Sequence, residues 1–140
     1  MSPEKPLFRK LDNHMLRVAD LDAAIACYRD KLGHRLLWRS DEVAGFALPE
    51  TDAELVVHRH IGPETDIVVD DVEAAFASLL SAGGEAIQHP FDIAIGRCAR
   101  LRDPFGNPVV ILDRSKGKLT TDAEGRVTGV EALPSSGAAS

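Results

Sequence analysis

The sequence predicts an α+β fold made of two βαβββ modules. Three observations carry this: a segment that recurs at a fixed offset, an aspartate-capped amphipathic helix in each copy, and short apolar runs broken by turn residues after each helix. Leu16–Ala26 (LRVADLDAAIA) recurs as Ile67–Ala77 (IVVDDVEAAFA), 51 residues on. The offset carries Val18 onto Val69, Asp20 onto Asp71, Ala23 onto Ala74, Ala24 onto Ala75 and Gly33 onto Gly84. Two copies are too few for a solenoid, so they predict paired modules within one domain.

In the first copy, Leu11 to Ala19 reads as a strand ending at Asp20, whose carboxylate can accept from the free N–H groups of a helix start. Leu21, Ala24, Ile25, Tyr28 and Leu32 then follow helical spacing and predict one buried stripe. Gly33 suits the left-handed residue that ends such a helix. Arg35–Arg39, Ala44–Leu48 and Glu54–His60 complete the module as strands. In the second copy Asp71 caps, Val72, Ala75, Phe76, Leu79 and Leu80 form the stripe, and Gly83–Gly84 stop it. Its later strands are Glu85–Gln88 with Ile93–Ile95, then Arg97–Arg102, then Val109–Asp113. Asp103-Pro104-Phe105-Gly106-Asn107 is a turn, since Pro presets one dihedral while Gly and Asn accept positive φ. The modules span 8–61 and 62–115 of one domain at 8–115. Residues 116–140 read as a peripheral tail: a short hairpin around Glu124-Gly125, then a disordered stretch from Pro134 to Ser140.

The chain has 140 residues, 44% apolar and 27% charged, with 16 basic against 22 acidic side chains and a net charge of -6. Such an acidic domain predicts no nucleic-acid or anionic-membrane partner. No apolar run approaches the roughly 18 residues of a membrane span, and MSPEKPLFRK lacks a signal-peptide core. Two cysteines, Cys27 and Cys98, make no disulfide framework. The expectation is a cytoplasmic protein with packed, reduced thiols.

The duplicated pattern, with LRVADLDAAIACYRDKLGH at 16–34 and RDPFGNPVVIL at 102–112, resembles the vicinal oxygen chelate superfamily, which contains glyoxalase I, bleomycin-resistance-type binding proteins and extradiol dioxygenases. The resemblance covers about residues 8–115. It implies a half-open mixed β-barrel with the helices outside, enclosing a cavity. It also implies, for the enzymes of the family, a divalent metal held from the first and last strands of both modules. Carried onto this chain, the four ligand positions are Asn13, Val56, Glu64 and Val110. Two are aliphatic, and a hard divalent ion wants several oxygen or imidazole ligands. The expectation is therefore no metal and no cofactor.

Strand alternation places Asn13, Met15 and Arg17 on the cavity face and His14 on the other, packed beneath the helices. His58 and His60 share the face of Val56. Glu64 and Asp66 share a face too, either as a solvated pair near a turn or as part of a polar rim with Arg17 and His58. Arg17 falls where glyoxalase I has an arginine that contacts its thiol cofactor. Arg97 and Arg102 read as surface charges. Two function classes follow. The first is a small-molecule-binding homodimer whose pocket is formed by Asn13, Arg17, Val56, His58, Glu64 and Val110. The second is a metal-dependent lyase, isomerase or dioxygenase with a site rearranged among His14, His58, His60 and Glu64. A cofactorless enzyme using Glu64 as general base lies between them.

Overall fold

The computed structural model describes residues 5–133; the stretch from Pro134 to Ser140 expected to be disordered lies outside them. Module one consists of β1 (Lys10–Arg17), α1 (Leu21–Ile25) continuing as a π-helical stretch (Ala26–Lys31), β2 (Leu36–Arg39), β3 (Val43–Ala47) and β4 (Glu54–His58). Module two consists of β5 (Glu64–Val68), α2 (Val72–Ser81), β6 (Glu85–Ile93), β7 (Gly96–Arg102) and β8 (Pro108–Leu112). A hairpin, β9 (Lys118–Thr121) and β10 (Val127–Glu131), follows. The eight module strands form one mixed sheet in the order β2-β3-β4-β1-β5-β8-β7-β6. Each module's first strand pairs in parallel with its last, and β1 joins β5 antiparallel at the centre.

Both helices start as expected, with Asp20 Oδ1 accepting from the Ala23 N–H and Asp71 Oδ1 from the Ala74 N–H, each at 3.0 Å. Both pack on the same face of the sheet. Leu21, Ala24 and Ile25 meet Ala44, Phe46 and Val57; Val72, Ala75 and Phe76 meet Val69, Ala99, Leu101 and Ile111. Each large buried side chain contributes about 1.5–3 kcal/mol, and alternation sends its strand neighbours to the opposite, inner face.

The helix ends differ from the expected repeat. The left-handed residues are Gly33 (φ 80°) and Gly83 (φ 105°), not Gly84, so the offset falls from 51 to 50 within the helix. Module one holds one extra residue, which the π-helical stretch absorbs: the Leu32 N–H bonds to the Cys27 carbonyl five residues back. The wider turn rotates Leu32 off the stripe, and it is 58% exposed rather than buried.

Two further expectations change. The paired pieces Glu85–Gln88 and Ile93–Ile95 are one edge strand, β6, whose register shifts on both sides of Gln88 admit Pro90. The tail is not peripheral. The Arg39 N–H donates to the Gly125 carbonyl (2.8 Å), Arg39 bridges Arg126, and the Arg126 guanidinium meets Asp41 at 3.1 Å. The hairpin thus docks on the outer edge of β2. Among the described residues no helix is long and apolar enough to cross a membrane.

Candidate functional site

The register places the four family positions on the inner face. Met15 stands opposite Val56, and Asp66 opposite Val110. The 51-residue offset carries Met15 onto Asp66 and Asn13 onto Glu64, so Val56 and Val110 occupy equivalent places in the two modules. Both valines are buried, and Val110 packs with Cys98, Leu112 and Phe91 on an apolar floor. Burial pushes the Cys98 thiol up to about 12, so it is a packed group and no nucleophile.

A chain of polar side chains crosses this floor. Arg100 grips Glu64 with two bonds, Nε to Oε1 at 3.1 Å and Nη2 to Oε2 at 3.3 Å, and its Nη1 donates to Gln88 at 2.7 Å. Its guanidinium also lies 5.5 Å from the Phe91 ring centre. Asp66, two residues after Glu64 and on the same face, accepts from Asn13 Nδ2 at 3.3 Å. Asn13 Nδ2 also donates to Asp12 at 2.8 Å, and Asp12 takes the Arg114 guanidinium at 2.6 Å. Asp12 reaches this side because β1 shifts register between Leu11 and Asn13, the mark of a bulge.

Asp66 is the strained member. Burial, then the hydrogen bond and charge of Glu64, push its carboxyl up to about 8, and the Asn13 amide only partly opposes them. Asp66 therefore holds a proton near neutral pH, beside the arginine-bound Glu64. Two buried acceptors, Asn13 Oδ1 and Asp66 Oδ1, have no hydrogen-bond partner among the described residues.

The other expected residues are dispersed. Glu64 and Asp66 are not a solvated pair: Glu64 is 11% exposed in its ion pair and Asp66 6%. Their place between the two central strands buries them. His14 is on the helix side as alternation requires, but it is exposed rather than packed, with Nδ1 2.8 Å from Thr65 Oγ1. The helices pack mainly on β3 and β4 or on β6 to β8, and His14, with Thr65 and Ile67, lines a cavity on the central strands between them. His58 Nδ1 accepts from the His60 and Ile61 N–H groups, which ties the ring into the loop after β4. Burial, then His60, lower its pKa. His60 turns to Glu42 at 2.8 Å. Arg17 is exposed, without a side-chain hydrogen bond or ion pair among the described residues. Arg97 joins Asp92 and Glu73, and Arg102 meets the Gly106 carbonyl, both at the surface.

Val56 and Val110 offer no lone pair, and both oxygens of Glu64 are engaged by a cation that repels a second one. Among the described residues no three His, Cys, Asp or Glu side chains gather as a metal site, so His14, His58, His60 and Glu64 do not converge.

What the face does offer is space at its ends. The β5–β8 ladder runs only from Asp66↔Val110 to Val68↔Leu112. Before its first pair the strands part, and a cavity of about 430 Å³ there is lined by Glu64, Arg100 and Val110 of the inner face and by His14, Ile67 and Val109 of the helix face, with Ile87 of β6 beside them. Arg100 is the residue that sequence reasoning missed. Its signal was parity, two positions from Cys98 on β7 and opposite Val110.

The model of the Glyoxalase/Bleomycin resistance protein/Dioxygenase superfamily matches residues 10–111. Methylmalonyl-CoA epimerase from Mycobacterium tuberculosis is similar in structure, with 24% identity over 81% of this chain and 92% of that one and a TM-score of 0.63. The Mn(II)-bound glyoxalase from Novosphingobium aromaticivorans gives 18% identity, 91% and 43% coverage and a TM-score of 0.56. An extradiol ring-cleaving dioxygenase from B. fuscum gives 22%, 94% and 37%, and 0.57. At these identities the likeness is one of fold. A search of curated protein sequences finds no match.

Proposed function

Since the chain belongs to the glyoxalase/bleomycin resistance protein/dioxygenase superfamily, we propose that it is a small-molecule-binding protein that works without a metal at the four family positions. The observation that carries this reading is the two-bond grip of Arg100 on Glu64, the one carboxylate among those positions. A ligand in the adjoining cavity lays its apolar body on Ile67, Ile87, Val109 and Val110. Its polar end competes for Arg100 or donates to Glu64, which fixes orientation. Asn13, Arg17, Val56 and His58 lie outside its lining. The reading includes a homodimer, because β6 is an edge strand of the sheet with Ile87 exposed on it. Light scattering should give twice the 15.1 kDa of the chain.

A thermal-shift plate of divalent metals beside aromatic and antibiotic-like compounds tests the reading. At a hundredfold excess over Kd a ligand stabilises by about 2.7 kcal/mol, enough to move a melting curve by several degrees. The expected result is a shift from a subset of organic compounds, lost in Arg100→Met, and none from metals. Shifts from metals alone would instead favour the metal-dependent lyase, isomerase or dioxygenase.

A further inference from the structure

A second cavity, of about 420 Å³, lies at the other end of the inner face, between module one and the C-terminal hairpin. Trp38 and Glu54 form its floor; Leu119 and Leu133 come from the hairpin side. The floor is held in place by a glycine. Trp38 stands opposite Gly45 in the β2–β3 ladder, and a Cβ on Gly45 would overlap both the indole and the Glu54 carboxylate. The indole can therefore lie flat across β3 and donate from Nε1 to Glu54 Oε1 at 2.7 Å.

The charges around the cavity are unequally matched. Asp12 is paired with Arg114 at 2.6 Å, and Asp52 with Lys10. Glu54 is half-buried, and among the described residues it has no cation within ion-pair distance; the Trp38 N–H is its one hydrogen bond. Burial raises its pKa, the response of a carboxylate short of compensation. Lys118 stands exposed at the rim, without an ion pair among the described residues. A half-buried carboxylate beside an indole face, under apolar side chains, matches one ligand chemistry: a flat ring carrying a positive group.

We propose that this cavity binds a flat organic cation, with its ammonium or amidinium group on Glu54 and its ring on the Trp38 indole. No residue of the Glu64–Arg100 pocket takes part, so the two readings fail separately.

Trp38 is the only tryptophan in the chain, so ¹⁵N-labelled protein gives a single indole N–H resonance that reports on this cavity. Benzamidine, its neutral counterpart benzamide and the anion benzoate are titrated against it. The expected result is a saturable benzamidine shift, with the other two at least tenfold weaker, and a tenfold loss of benzamidine affinity in Glu54→Gln. No saturable shift, equal binding of all three compounds, or undiminished affinity in Glu54→Gln overturns the proposal. Should that variant fail to fold, the three titrations of the unaltered chain decide alone.

Discussion

In module one, thirteen positions separate the cap Asp20 from the left-handed Gly33; in module two, twelve separate Asp71 from Gly83. The extra residue disturbs little: the fully buried side chains of the helix end at Ile25, and Tyr28 within the π-helical stretch still packs on Phe46, with ring centres 5.8 Å apart. The caps, the helix-side core and the parallel pairing of first and last strands are shared by the two modules. The inner faces are not. Module one offers Trp38 and Glu54 under the hairpin, whereas module two offers Cys98, Phe91, Val110 and Leu112 around an arginine-held glutamate. The repeat thus specifies the scaffold, and the chemistry resides where the copies diverge.

The largest perturbation tests whether the modules are one folding unit. Phe46 is fully buried in module one and Ile111 in module two. Phe46→Ala should cost about 3–5 kcal/mol and Ile111→Ala about 2–5 kcal/mol. Each should shift a single calorimetric transition, since β1 and β5 share a ladder; a split transition would separate the modules. Next in size is the clamp. Arg100→Met leaves Glu64 half-sheltered and unpaired, which should cost about 2–4 kcal/mol by denaturant unfolding, and adding Glu64→Gln should recover most of that loss.

The third effect depends on pH. The folded-state pKa of Asp66, about 8, lies above its unfolded value near 3.8. The stability it contributes is therefore complete below about pH 4 and is lost as pH rises towards 8. Asp66→Asn, which mimics the neutral carboxyl, should match the parent near pH 4 and exceed it by about 1–3 kcal/mol at pH 9. The smallest effect concerns the additional helical residue: Leu32→Gln should change stability by no more than about 0.5 kcal/mol, whereas Leu79→Gln, packed against the module-two core, should cost more.

Much of the scaffold was legible because it rests on local rules: aspartate caps, apolar periodicity and the Asp103–Asn107 turn, where Asp103 Oδ1 accepts from the N–H groups of Phe105 and Asn107. The family resemblance points to Asn13, Val56, Glu64 and Val110, which the strand register brings onto one face. What escaped depends on contacts between distant segments. Arg100 meets Glu64 only once β7 and β8 pair, and Asp66 is buried only because β1 and β5 meet at the sheet centre. The docking of the hairpin is not legible, because nothing local in Gly125 or Arg126 reveals that β2 receives it. The extra helical residue was concealed by the second glycine of Gly83-Gly84, which kept the offset intact on paper.

We propose that an arginine-clamped carboxylate stands where the enzymes of the family hold their ion. The most direct test is the metal content of purified protein after dialysis against chelator and re-exposure to Mn²⁺, Ni²⁺ and Zn²⁺. The account predicts substoichiometric metal, unaffected by Glu64→Gln. One tightly held ion per chain, lost in that variant, would contradict it.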